Sequence, residues 1–445
     1  MTAANQHEEI SATEKQGSRR IVFVNRYYDP DQSASSQMLT DLARGLAAQG
    51  YDVHVVSSRQ LYDEPDRRLA GDETLFGVQV HRVATTRFGR SRLPGRAMDY
   101  ASFYFACLIM LLKLVRRGDV LVSKTDPPLL SILAAPIAKV KRARLINWLQ
   151  DVFPEIASQL GANPLPGWLD QILGRMRDAS LRAATMNVSI GGRMREYLAA
   201  RGIAESKLCV IENWADGNAI QPKPTSASGL RARLGLVDRF VVCYSGNLGR
   251  AHEFHTLLGA AEALKDDPAF IFLVIGSGAR MEALKHGVAT RALDNFRFLP
   301  YQSRDTLEDS LAAADVHIVS LLPALEGLIV PSKLYGILAA GRASIFIGDS
   351  DGDVGRVIER AQCGRLVKVG DSKALVDELR SLEAEPEVLL SMGARARQLL
   401  CGQYSLRRAL DRWAALIEAA SVTAACVTEG FADTRTNPER KTGIP

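Results

Sequence analysis

The sequence predicts an α/β protein made of two tandem Rossmann-like, doubly wound domains. Three observations predict it. From Arg20 onward, short β-branched runs alternate with amphipathic stretches, the pattern of βαβ units on a parallel sheet. A polar, proline-bearing stretch without periodicity, Asp216 to Ser228, divides that alternation into two series. The 445 residues, 47% hydrophobic and 24% charged, suffice for two buried cores without disulfide or metal staples.

In the first series RIVFVN reads as the opening strand, a helix follows from Ser33 to Gln49 with Gly50 ending it, and DVHVVSS is the next strand. VQVHRVA, DVLVSK, ARLINWLQD, TMNVSI and KLCVIEN continue the strands, with helices expected near 97–116, from Pro127, near 167–184 and from Gly191. The second series offers RFVVCYSG, AFIFLVIG, NFRFLP, DVHIVSL, ASIFIG and GRLVKV as strands. Its helices fall near 253–266, 279–289, 303–314, 332–340, 353–361 and 371–383. Helical patterns near 386–402 and 404–420 close the fold. The expected division is a tail 1–18, an N-terminal domain 19–215, a linker 216–228, a C-terminal domain 229–402, a closing helix 403–421 and a tail 422–445.

Composition excludes several classes. The polar N-terminus lacks an apolar signal region, and none of the six cysteines forms a C-x-x-C pair, so a reducing, cytoplasmic setting is expected. The longest apolar run, Tyr100 to Leu112, spans thirteen residues and falls short of a membrane-spanning helix. The net charge of +5 belongs to the first half. Segment 82–117 holds eight basic residues against one acid, Asp99, around that apolar run. One reading is a surface resting on anionic lipid at the inner face of the cell membrane. The other is a buried helix beside a solvated arginine loop. No helix-turn-helix, RNA-binding aromatic motif or zinc-finger spacing accompanies the charge, so no nucleic-acid partner is expected.

Ligands of open α/β sheets bind beyond the carboxyl ends of the strands, which makes the strand exits informative. After VVCYS comes Gly246-Asn247-Leu248-Gly249-Arg250, where glycine permits close backbone approach and Arg250 supplies a permanent charge for phosphate. After FIFLVI comes Gly276-Ser277-Gly278. It is a weak phosphate signal and no nicotinamide fingerprint, since Met281 occupies the third glycine position. After HIVSL, a loop containing Glu326 leads to Pro331-Ser332-Lys333, with Ser332 expected to cap a helix. Lys333 opposes the helix dipole there, which makes sense where both hold a diphosphate. Asp349-Ser-Asp351-Gly-Asp353 reads as an acidic turn capping the helix from Val354 rather than a D-x-D metal site. His252 and His255 lack metalloprotease spacing and read as a helix start, and no metal is expected.

The combination Y-S-G-N-L-G-R-A-H, V-I-G-S-G, Pro-Ser-Lys-Leu-Tyr and A-A-G resembles glycosyltransferase family 4 over roughly 20–420. W-L-Q-D-V-F-P-E at 148–155, K-T-D-P-P at 124–128 and V-I-E-N-W at 210–214 look most like bacterial polysaccharide transferases of the colanic-acid and L-fucosamine-transferase type. The resemblance implies a GT-B fold with two domains across a cleft. It also implies retention of anomeric configuration, donor on the C-terminal domain and acceptor on the N-terminal one. By the same resemblance Gly246, Asn247 and Arg250 match the phosphate-side loop, Gly276 and Gly278 the base-side loop, and Glu326 the first glutamate of E-x7-E. Lys333 beside Ser332 would face the diphosphate. Gly336 stands where the second glutamate normally binds ribose, and the usual glycine-rich loop after the first strand is here Asp29-Pro-Asp-Gln-Ser33-Ala34-Ser35-Ser36. Asp151 matches the acid at the cleft edge, a general base in an inverting enzyme and a positioner of acceptor or donor sugar in a retaining one. Asp126, Ser33 and Ser35 fall on the acceptor side.

The expected activity is therefore metal-independent, retaining transfer of a sugar from a UDP- or GDP-sugar to a glycan or polyprenyl-linked acceptor in cell-envelope polysaccharide synthesis. No cofactor beyond the nucleotide sugar is expected. Two alternatives stay open: a nucleotide-sugar 2-epimerase of the same fold, and a non-catalytic, membrane-docked scaffold of a polysaccharide assembly complex.

Overall fold

The computed structural model describes residues 19–62, 64, 67–88, 93–161 and 166–421, so the expected tails, Arg90, Arg92 and Cys426 lie outside the described residues. Eight strands form the first sheet: β1 (Arg20–Val24), β2 (Asp52–Ser58), β3 (Asp72–Leu75), β4 (Val78–Val83), β5 (Val120–Ser123), β6 (Arg144–Leu149), β7 (Met186–Ser189) and β8 (Leu208–Val210). Their order is β3-β4-β2-β1-β5-β6-β7-β8, and β3 alone runs antiparallel to its neighbour. Six parallel strands form the second sheet: β9 (Phe240–Ser245), β10 (Phe270–Ile275), β11 (Phe296–Leu299), β12 (Val316–Ser320), β13 (Ala343–Ile347) and β14 (Gly364–Val367), in the order β11-β10-β9-β12-β13-β14. This is the expected pair of doubly wound sheets. The sequence reading missed β3, because the edge strand DETL carries a single aliphatic side chain and has no buried face to pattern it.

Each sheet reverses its winding at one place, between β1 and β5 in the first and between β9 and β12 in the second. At such a switch point neighbouring exit loops part and leave a crevice for a ligand. Side chains alternate across β1: Ile21 and Phe23 enter one core, with the helices Ala34–Ala48 and Leu406–Ser421. Val22 and Val24 enter another, with Phe103, Cys107 and Leu111 of the helix Leu93–Leu114. The first core continues into the second half through Leu334 and Leu338 of the helix Lys333–Ala339, joining the two sheets by apolar contact.

The C-terminal helix Leu406–Ser421 crosses back to the first sheet. Trp413 packs on Trp148 with ring centres 4.8 Å apart, and Trp148 faces Trp214 at 5.7 Å. Glu418 pairs with Arg19 at 2.6 Å and accepts the Tyr51 hydroxyl at 3.0 Å. The helix Leu93–Leu114 has 22 residues, longer than the apolar run at its centre. By length and composition its stretch Pro94–Leu114 is apolar enough to cross a membrane. One face, Phe103, Cys107 and Leu111, is nonetheless buried on the sheet, while Met98, Phe105, Ile109 and Leu112 are exposed. Of the cysteines, Cys107, Cys243 and Cys363 are buried as expected, whereas Cys401 is exposed.

Candidate active site at the two switch points

In the second half the exits of β9 and β10 are tied to each other along the backbone. Gly246 N–H donates to Ile275 O at 2.8 Å, Leu248 N–H to Ser277 O at 2.7 Å, and Arg280 N–H to Leu248 O at 3.0 Å. This approach leaves no room for side chains: a Cβ on Gly276 would lie 2.3 Å from Gly246 O, and one on Gly278 would lie 2.4 Å from Leu248 O. Both glycines also have positive φ, +128° and +142°, a region other residues avoid. Asn247 and Arg250 are exposed on the loop so formed, and the Arg250 guanidinium has no acidic partner among the described residues. Across the switch point, the β12 exit delivers Lys333. Its Nζ approaches the Tyr244 hydroxyl closely, lies 3.4 Å from Asn247 O and sits 3.6 Å from the centre of the Tyr244 ring. Burial without a carboxylate pushes this lysine well below its ordinary range. His252 is held in the same corner by Ser320 O at 2.6 Å, and burial, reinforced by the Lys333 charge, pushes it down to about 3.

Ser332 does not cap the helix. Its φ of −67° and ψ of −20° are already helical, its hydroxyl makes no capping bond, and the extended geometry that aims an N-cap oxygen at the first N–H groups is missing. Glu326 lies against the acidic turn: a Cβ on Gly352 would sit 2.3 Å from its carboxyl carbon. Burial, with Asp353 and Asp349 adding repulsion, pushes Glu326 up to about 7, and its Oε1 has no hydrogen-bond partner among the described residues. The turn also departs from expectation. Asp353 does not cap its own helix, Asp353–Ala361, but accepts Arg193 N–H at 3.1 Å, at the start of the helix Gly192–Ala200 in the first half. Asp351 pairs with Arg193 and Arg356. The acids thus tie the two halves together. No group of three or more metal-ligating side chains occurs among the described residues. A Cβ on Gly336 would meet only Leu311 Cδ1, at 3.7 Å, so the backbone does not demand glycine there.

In the first half the exits of β1, β5 and β6 converge. Lys124 is 1% exposed, with its Nζ 2.8 Å from Ser35 O and 3.8 Å from the centre of the Trp148 ring. Ser35 Oγ reaches Asp126 Oδ2 at 3.5 Å, whereas Ser33 turns to Asp31, its N–H 2.9 Å from that carboxylate. Asp151 adjoins this cluster. Burial pushes its carboxyl up to about 7, against the lowering effect of a Thr125 hydrogen bond and the Lys124 charge. Burial likewise pushes Lys124 down to about 7, against Asp126 and Asp151. Lys124, Thr125, Asn147 and Asp151 line a cavity of about 20 Å³, room for a water molecule.

One strand-like contact joins the two halves of the site. Asp151 forms an isolated antiparallel bridge with Ile329, and Val152 N–H donates to Leu328 O at 2.9 Å. Asp151 therefore lies beside the very loop, Glu326 to Lys333, that carries three of the expected donor residues. The sequence reading overlooked Lys124 as a site residue, although a lysine ending the apolar run DVLVS is a visible anomaly. Tyr244 stood within the quoted motif and Asp353 within the acidic turn, but their contacts with Lys333 and Arg193 join distant segments and had no local signal.

Comparison with known proteins agrees with this architecture. Residues 34–214 match the family described as glycosyl transferase 4-like domain, and residues 230–399 match glycosyl transferases group 1. The probable glycosyltransferase WbjE of Pseudomonas aeruginosa is 27% identical over 337 residues, covering 74% of this chain and 82% of its own. The putative colanic acid biosynthesis glycosyl transferase WcaI of Escherichia coli K12 is 25% identical over 360 residues, covering 76% and 86%. Among solved structures, Anabaena HepE in complex with UDP superposes with a TM-score of 0.67 at 14% identity, covering 90% of this chain and 100% of that one.

Proposed function

Because the chain belongs to the group 1 glycosyl transferases, an enzyme family that uses nucleotide-sugar donors, we propose that it moves a sugar from UDP or GDP onto a glycan or polyprenyl-linked acceptor. The configuration is retained, no metal takes part, and the setting is cell-envelope polysaccharide synthesis at the cytoplasmic face of the membrane. The observation that carries this reading is the placement of Lys333 against the interlocked Gly246 and Gly276 loops, the first of which also carries the exposed Arg250, without an acidic partner among the described residues. Departure of a nucleoside diphosphate develops negative charge, and fixed cations at that place stabilise it. A diphosphate beside Lys333 also restores the proton that burial disfavours. Asp151 positions the acceptor hydroxyl or the donor sugar, Glu326 meets the donor from its own loop, and Ser35 with Asp126 lines the acceptor side. The colanic-acid relative and the UDP-bound structure support the setting and the donor class by likeness.

Thermal shift with UDP and GDP, with and without magnesium, is the test. Binding to the native state at a hundredfold Kd adds about 2.7 kcal/mol of stability. One nucleotide should raise the Tm equally with and without magnesium, and Arg250→Ala and Lys333→Ala should each remove that rise. No shift with either nucleotide rejects the donor assignment, and a shift that requires magnesium rejects metal independence.

The exposed stripe Met98, Phe105, Ile109 and Leu112 supports membrane docking of segment 82–117, with Lys113, Arg116 and Arg117 at the helix end for anionic lipid.

A further inference from the structure

Among the described residues, arginine burial follows a rule with one exception. Arg82, Arg177 and Arg231 are buried against the carboxylates of Glu73, Glu155 and Asp315, and Arg342 gives its guanidinium to the carbonyls of Lys223 and Ala312. Arg26 is 4% exposed and has neither kind of partner. Its Nη2 reaches Gln60 Oε1 only at 3.4 Å, and its Nε makes no hydrogen bond among the described residues. What surrounds it is aromatic: the guanidinium carbon lies 5.2 Å from the Tyr27 ring centre and 4.9 Å from that of Tyr100. A second cation shares the Tyr100 ring, since Arg96, exposed at the start of the helix Leu93–Leu114, lies 5.5 Å from its centre. Arg96 likewise has no acidic partner among the described residues.

A buried guanidinium without an anion is costly, and contact with ring faces offsets only part of that cost. Arg26 is fixed in place nonetheless. Its N–H donates to Asp126 O at 2.6 Å, and its carbonyl accepts Ser58 N–H at 2.8 Å, so the exits of β5 and β2 hold it at the switch point of the first sheet. Two uncompensated cations around one aromatic ring, next to the acceptor-side residues, suit a dianion with several acceptor oxygens.

We propose that Arg26 and Arg96, which share the Tyr100 ring, bind a phosphate group borne by the acceptor. The proposal rests on the transferase reading for what the anion belongs to, but not for the site itself. Calorimetric titration of the full-length protein saturated with UDP tests it, because the donor site is then filled. Geranyl diphosphate and inorganic pyrophosphate serve as probes, with phosphatidylglycerol vesicles in parallel. Geranyl diphosphate should bind, and Arg26→Met and Arg96→Ala should each weaken it at least tenfold. Arg96 is exposed, so its variant keeps the wild-type Tm and guards against misfolding of the Arg26 variant. Tighter binding of geranyl diphosphate than of pyrophosphate assigns the phosphate to a lipid carrier, and equal binding assigns recognition to the phosphate alone. Unchanged affinity in both variants, or no binding of either probe, overturns the site. Binding to vesicles without binding to geranyl diphosphate overturns its assignment to the acceptor. The UDP shift described above reports on the transferase reading separately, so the two failures are distinguishable.

Discussion

Buried Lys124 and half-buried Asp151 are each displaced chiefly by desolvation, which the other's charge partly opposes. Burial pushes Asp151 up to about 7, so turnover should rise with pH through that region as the carboxylate forms. The Lys124 ammonium favours the ionised form. Lys124→Met should therefore move the acid limb of the pH–rate profile to higher pH by about 1, while UDP affinity stays constant. An unmoved profile would separate the lysine from the carboxylate. Asp151→Asn should lower kcat by roughly 100-fold above pH 7 and remove the acid limb of the profile. Glu326 makes a stability prediction. Its folded value, about 7, lies above the ordinary 4.5, so its contribution is full below about 4.5 and is lost as pH rises through 7. Glu326→Gln should raise the Tm at pH 8 and change it little at pH 5. Asp151 was legible as a loop acid after a strand. That its carboxyl would be buried against the other half was not, because burial depends on a loop nearly two hundred residues away.

At the level of elements, the two glycine loops behave as one unit. Gly276→Ala would drive a methyl into Gly246 O, so it should cost about 1–3 kcal/mol in urea denaturation and weaken UDP binding as well. If stability fell but UDP affinity did not, the loop pair would be structural only. The helix Leu93–Leu114 carries one face into the core and turns another outward. Phe105→Asp combined with Ile109→Asp should abolish sedimentation with anionic vesicles while leaving the Tm near wild type. Retained sedimentation would remove the helix from the membrane reading. Its apolar, helical character was readable in the sequence. Which face the sheet covers was not, since both carry apolar residues.

At the level of the whole molecule, the closing helix fastens the C-terminus to the first sheet. Trp413→Ala should cost about 3–5 kcal/mol through the cavity left beside Trp148, and, because Lys124 lies over the Trp148 ring at 3.8 Å, should also lower kcat. The cleft is spanned further out by Arg304 with Asp41 at 2.8 Å and by Arg193 with Asp351.

The sequence by itself determined the two-sheet α/β architecture, the family, and the strand exits on which chemistry depends. Each of these is written in local patterns: alternation of apolar runs, glycines where backbones must approach, and short motifs at strand ends. Only the tertiary structure decided which exits meet. The winding reversals between β1 and β5 and between β9 and β12 gather Arg26, Lys124 and Asp126 in one half and Gly246, Arg250 and Lys333 in the other. The charge state of Asp151, Glu326 and Lys333, the use of the acidic turn as an interdomain tie, and the isolation of Arg26 belong to that same level. Desolvation and ion pairing are set by neighbours distant in sequence, and no local pattern encodes them.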